Sequence, residues 1–192
     1  MSKLSAAAGV RRFQIRSECA ADADGISRVI TDAFAGHPFS DQSEAQIVRA
    51  LRDAGALTIS LVAIDGAGAG TGTGNTGTAG PMIVGHIAFS PINPSDGATH
   101  WYGLAPVSVA PDRQRAGIGA ALVGAGLTAI RAIGAAGCVV LGDPAYYRRF
   151  GFEAFEDLVY VDAPPGHFMV QTFAGKRPTG QVEYHPAFSG GR

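Results

Sequence analysis

Apolar positions along this chain recur at two periods, and the switches between them predict its elements. Phe13 and Ile15 alternate with polar neighbours, the period of a strand with one buried face. Ile26, Val29, Ile30, Ala33 and Phe34 follow at i, i+3, i+4, i+7 and i+8, one face of a helix that Asp22 can cap. GHPFS breaks that helix. Asp41, with Glu44 three residues on, reads as a capping box for a second helix with Ile47, Val48 and Leu51 inward. Strands are predicted over 57–64 and 82–90, then a loop at PINPSDG and a strand over 100–109. The next helix places Ile118, Ala121, Leu122, Ala125, Ala129 and Ile133 on one face, and Gly134 and Gly137 end it. The wholly apolar run 138–141 predicts a buried central strand. Pro144 opens a short helix that Gly151 stops, and strands follow near 158–161 and 168–173. The C-terminal GQVEYHPAFSGGR reads as loop. Residues 65–80 are almost all Gly, Thr and Ala, cannot bury a core, and are expected to form a long mobile hairpin loop.

One junction concentrates the candidate chemistry. The strand over 100–109 ends at Ala110-Pro111-Asp112, and Gln114-Arg115-Ala116-Gly117-Ile118-Gly119 then opens a helix. The first N–H groups of a helix have no intrahelical acceptor, and the helix dipole adds partial positive charge there, so a strand feeding a glycine-containing helix start suits an anion. Gly117 and Gly119 lack a Cβ and let a phosphate approach the main chain. The spacing is not that of a Walker A loop, because no Gly-Lys-Ser/Thr follows, and the order QxxGxG is not GxGxxG.

The run VxPxxQxxGxGxxL, Val109 to Leu122, resembles the acetyl-CoA pyrophosphate loop of the GNAT N-acetyltransferase superfamily. Downstream, LGDPAYYRRFGFE (141–153) contains YxxxGF and resembles the family segment often written lYeklGF, with Tyr147 on its tyrosine. The stretches LVA…VGHIAFSP, LAPVSVAP, VVLGDPAYYRRFGF and YHPAF look like the YhbS-like subgroup of predicted N-acetyltransferases, over about residues 12–188. Two features depart from that pattern: the long 65–80 segment, and Asp143 where the subgroup often carries His. The resemblance implies an α/β (α+β) GNAT fold in a single domain over 1–192: a mixed, mostly antiparallel sheet, splayed between its fourth and fifth strands, with helices on both faces. Coenzyme A would lie in the splay.

By the same resemblance, the main chain of Val107, Ser108 and Val109 holds the pantetheine arm and the acetyl carbonyl. The loop Gln114, Arg115, Ala116, Gly117, Ile118, Gly119 and Ala120 holds the phosphates, with Arg115 adding charge. Tyr147 becomes the general acid to the sulfur. Acyl transfer also requires a neutral amine, and a free alkyl amine titrates near about 10.4, so its proton must be taken. No residue pattern names that base. Glu44 is the most attractive carboxylate if the family layout holds, its capping box being the other reading; His37, His86 and His100 sit on loops or strands, His185 sits in the tail, and a water relay needs no named residue. Arg148 and Arg149 read as solvated, with contact to the coenzyme A phosphates as the lesser reading. The implied function is transfer of an acetyl group from acetyl-CoA to a primary amine of a small molecule or protein; the rival is an acyl-CoA-binding sensor without turnover.

Composition changes this picture little. A formal net charge of −1 gives no reason to expect a nucleic-acid partner. No apolar run approaches the roughly 18 residues of a membrane span, and the N-terminus lacks the apolar core of a signal peptide. Two cysteines far apart, Cys19 and Cys138, form no metal pattern and suit a reduced, cytoplasmic protein. The family resemblance implies a monomer or homodimer.

Overall fold

Strand β1 (Phe13–Ser17) leads through a tight turn (Ala20–Asp22) into helix α1 (Ala23–Phe34) in the computed structural model, which describes residues 13–38, 40–65, 82–161 and 163–189. The stretch expected as a loop over 65–80 lies outside these residues apart from Asp65, as does the N-terminal tail. Helix α2 (Glu44–Asp53), strands β2 (Ile59–Asp65), β3 (Ile83–Pro94) and β4 (Trp101–Val109), helix α3 (Ile118–Ala132) and strand β5 (Gly137–Leu141) follow in the expected order. The chain then forms α4 (Pro144–Tyr147), β6 (Glu153–Ala154), β7 (Leu158–Val159), β8 (Phe168–Thr172) and β9 (Gly180–Tyr184).

The strands pair in the order β1-β2-β3-β4-β5-β8-β6, with β9 joined to the end of β3 and to β7. Every pairing is antiparallel except β4–β5 and β7–β9. Alternation along the strands sorts side chains to two faces. Leu61, Ala63, Ile87, Phe89 and Leu104 meet Leu122, Val123, Leu127 and Ile130 of α3. Their neighbours Val62 and Ala88 point the other way, onto Ile26, Val29 and Ile30 of α1 and Val48 of α2. Helices therefore cover both faces, as an amphipathic sheet between two layers requires.

The sheet opens at one place. Ile87 of β3 pairs with Val107 and Phe89 pairs with Leu104, so Ala105 and Pro106 together face the single residue Ala88. That two-against-one arrangement is a β-bulge, which bends the strand that holds the extra residue. The parallel ladder with β5 runs only from Trp101↔Gly137 to Leu104↔Val140 and stops where the bulge begins. From Ala105 onward β4 pairs only with β3 among the described residues, which is the expected splay.

Several local expectations are corrected. Asp22 stands at the N-cap of α1 but its carboxylate faces Arg16, at 2.5 and 2.9 Å, and the Cys19 amide rather than the helix. A charged bidentate pair is stronger than a neutral cap. The Asp41–Glu44 capping box does not form: Asp41 accepts from the Ser43 amide and hydroxyl two residues on, and Ser43 is the N-cap. The buried face of α3 is Ile118, Leu122, Val123, Gly126, Leu127 and Ile130, while Ile133 is half exposed beyond the helix end. Ala and Gly all round α3 left the register of that face open in the pattern.

Strand β3 runs four residues past its expected end, and β9 forms where a loop was expected, because Ile92, Asn93 and Pro94 pair with Tyr184, Glu183 and Val182. Gly137 does not end α3 but begins β5, where the Trp101 ring packs directly over it. A Cβ there would enter that ring and lie 2.7 Å from the Gln171 carbonyl oxygen. Gly137→Ala is therefore expected to lower stability by about 1–3 kcal/mol, read as a reduced urea midpoint without a change in slope.

Candidate active site

The splay and the start of α3 border one cleft of about 690 Å³. Val107, Ser108 and Val109 of β4 line it on one side. Gln114, Arg115, Gly117, Gly119 and Ala120 form its floor, Tyr146 and Arg149 a third wall, and Ala33, Phe34 and His37 close it from the end of α1. Two residues turn the main chain into α3 through the left-handed region: Arg115 at φ 60° and Gly117 at φ 83°. Only Gly enters that region without strain, so Gly117 sets the helix start and Arg115 is held there by its surroundings. No side chain caps the helix at Gly117, and the first intrahelical bond runs from the Ala121 amide to the Gly117 carbonyl. The amides of Ile118, Gly119 and Ala120 thus face no helical acceptor, and with the dipole they favour an anion. The guanidiniums of Arg115 and Arg149 add formal positive charge to the same cleft.

Eight of the ten residues expected to bind coenzyme A line this cleft; the exceptions are Ala116, an exposed loop residue, and Ile118, whose side chain is buried in the core. The two expected catalytic side chains do not line it. Tyr147 packs against Gly142, Phe150 and Phe152 and is only 7% exposed. Burial raises its phenol well above the ordinary value, so it stays protonated at neutral pH. Glu44 is half buried at the first position of α2, whose inner face belongs to Val48 and Leu51. It is not among the residues that line the cleft. Asp143, at the position where the pattern departs, caps α4 by accepting from the Ala145 amide at 2.8 Å.

The structure adds residues the sequence pattern did not single out. Tyr146, beside the motif tyrosine, lines the cleft, and its hydroxyl lies 2.9 Å from where a Cβ on Gly119 would stand. Arg149, read as solvated, stacks on the Tyr146 ring with its guanidinium carbon 4.0 Å from the centroid. A doubled aromatic in YYRRF was the available signal, but only α4 decides which ring turns outward.

Behind the cleft lies a polar line. His86 is fully buried on β3 directly opposite Ser108 of β4, and its Nε2 is 2.8 Å from Ser60 Oγ. Ser60 donates a short hydrogen bond to Glu18, whose carboxylate also takes both arms of Arg52 at 2.7 and 3.0 Å. Burial alone would raise Glu18, but Arg52 and Ser60 outweigh it and hold the carboxylate below its ordinary range. Burial pushes His86 down to about 4, with Glu18 opposing and Arg52 assisting. Glu18, Arg52 and Ser60 line a second, smaller cavity of about 280 Å³.

A family profile for the acetyltransferase (GNAT) domain matches residues 78–154, the stretch from β3 through the helix start to the YxxxGF segment. The chain is 36% identical to the uncharacterized N-acetyltransferase YhbS of Escherichia coli K12 over 181 residues, 91% of this chain and 98% of that protein. It belongs to the GNAT acetyltransferase family. Among solved structures, E. coli YhbS in complex with CoA superposes with a TM-score of 0.79 at 34% identity over 96% of both chains. A GNAT family acetyltransferase from Brucella melitensis in complex with acetyl-CoA superposes with a TM-score of 0.76 at 42% identity, over 93% of this chain and 99% of that one.

The buried imidazole makes stability pH-dependent. Unfolded, His86 titrates near about 6.5, and folded it titrates at about 4. Between these values the unfolded chain holds the extra proton, so stability falls as pH drops through that window, by on the order of 3 kcal/mol in full. Glu18 and Asp22, both held below their ordinary values, lose their contributions at lower pH still. Chemical denaturation at pH 7 and pH 5 is expected to show His86→Gln losing less stability between those two values than the unmodified chain.

Proposed function

We propose that this chain transfers an acetyl group from acetyl-CoA to a primary amine. The observation that supports this reading most directly is the left-handed turn at Arg115 and Gly117, which opens α3 uncapped beneath the splayed end of β4. A diphosphate fits the free amides of Ile118, Gly119 and Ala120 between Arg115 and Arg149, and an extended arm fits the unpaired side of Val107 to Val109. The acceptor belongs to an amine class that the cleft does not name: a small metabolite, a polyamine, an aminoglycoside-like compound or a protein amine. Fold alone does not choose among them.

The departing thiolate takes its proton from a tyrosine of α4. Tyr147 holds the motif position and remains protonated through burial. A second reading has its own observation, since Tyr146 rather than Tyr147 lines the cleft. A chain that binds coenzyme A without turnover would share the loop but release no thiol.

Titration calorimetry with CoA and thiol release from acetyl-CoA over a panel of spermidine, kanamycin and a peptide amino terminus separate these readings. Binding with thiol release on at least one amine is expected, and binding with none across the panel would assign a sensor. On the best amine, Tyr147→Phe is expected to lower kcat about 100-fold with CoA affinity unchanged, and Tyr146→Phe to weaken CoA binding. The reverse pattern would move the acid to Tyr146.

A further inference from the structure

Arg115 has a Cβ, yet its main chain sits at φ 60°, a conformation such a residue keeps only where its surroundings over-determine it. One end of its loop is fixed by α3, where Ile118 and Leu122 are buried in the core. The other end is the tight turn over 110–113, just before Gln114. The Ala110 amide donates to the Val84 carbonyl of β3 at 3.0 Å, and the Arg113 amide donates back to the Ala110 carbonyl at 2.8 Å. A side chain adds a second tie: Arg113 Nη2 donates to Asp65 Oδ2 at 2.6 Å.

Asp65 is a firm point to tie to. It is the last residue of β2, it stands opposite Phe13 of β1, and its amide donates to the Met82 carbonyl at 3.0 Å. Its side chain is only 9% exposed. Asp112 also faces Arg113, at 3.4 Å from Nε, but it belongs to the same turn and is mostly exposed, so it ties that turn to nothing else. Gln114, Arg115 and Gly117 line the cleft, whereas Asp65 and Arg113 are not among its lining residues. Resting on coenzyme A as the occupant of that cleft, we propose that Asp65 and Arg113 are positioning residues, whose ion pair holds the loop over 114–117 in the form that receives the diphosphate.

A short loop between two fixed points has few conformations open to it. With one point released, the loop must be ordered again each time the ligand binds, and affinity falls. Charge alone makes the opposite demand on Asp65. A carboxylate beside a phosphate loop repels the ligand, so neutralising it would tighten binding, whereas losing the anchor weakens it. The sign of the change at Asp65 therefore separates the two effects. Salt separates them at Arg113. A partly buried ion pair is screened much less than an attraction acting across solvent, so an anchoring effect survives salt that erases a steering one.

The test is titration calorimetry of the full chain with CoA. Asp65→Asn is expected to raise Kd about 10-fold and Arg113→Gln by the same factor. The double variant should lie within about 2-fold of either single one, because both remove one interaction. The Kd ratio of Arg113→Gln to the unmodified chain should hold near 10-fold from about 50 mM to about 500 mM NaCl, and this arm decides the matter should Asp65→Asn not fold. In turnover with the best amine, KM for acetyl-CoA should rise with Kd while kcat stays within about 2-fold, a split that mere loss of folded protein does not produce. A Kd unchanged or lowered in Asp65→Asn, a loss near 100-fold in the double variant, or a ratio falling to about 1 in high salt would each overturn the anchor alone. An unmodified chain that binds CoA but releases no thiol would overturn the transferase reading and leave the anchor to be decided by the binding arms. One that binds no CoA would overturn the coenzyme site and the anchor with it.

Discussion

Two residues of β4, Ala105 and Pro106, stand against one residue of β3, and the site depends on that mismatch. Without it β4 would continue beside β5, and its main-chain groups would be spent on the ladder. The bulge bends β4 away after Leu104, so a strand held firmly on one side by β3 keeps an open edge on the other. The loop that follows is then delivered to the mouth of that opening. A rigid strand, an open edge and an uncapped helix start within about ten residues make a long, phosphate-bearing ligand a natural occupant.

The two helical layers serve this opening differently. Helix α3 packs its Leu122–Ile130 face on β2, β3 and β4 and so anchors the helix start whose amides border the cleft. Helix α1 covers the opposite face, and the end of that helix, Phe34, together with His37 just beyond it, forms part of the cleft wall. His86 and Ser108 lie on that α1 face, opposite each other on β3 and β4. The loop after β4 and the splayed edge line the same cleft.

Burial gives the polar line its character. In the apolar layer beneath α1 and α2, an isolated charge would be costly, and the charges that act on His86 among the described residues, Glu18 and Arg52, are paired with each other. The imidazole is kept neutral, the carboxylate is kept ionised, and the two hydroxyls between and beside them can each donate and accept.

The order of strands and helices, the splay, the phosphate loop and the family were legible in the chain itself. The elements rest on periodicity of 2 or 3.6 residues and the loop on a glycine at a helix start, whereas the splay and the family follow from the resemblance of two motifs in fixed order. Partnering in space was not legible. Strand β9 looks like loop because only Val182 is buried in it, and it exists because β3 offers Ile92–Pro94 as a ladder. Asp22 and Asp41 have cap-like letters, but the fold gave one to Arg16 and the other to Ser43. Adjacent tyrosines are equivalent as letters, and a turn of about 100° per residue on α4 sends Tyr147 into the core and Tyr146 to the cleft. Glu18, Ser60 and His86 come from three separate segments, so only the register of the paired strands decides that they form one hydrogen-bonded line.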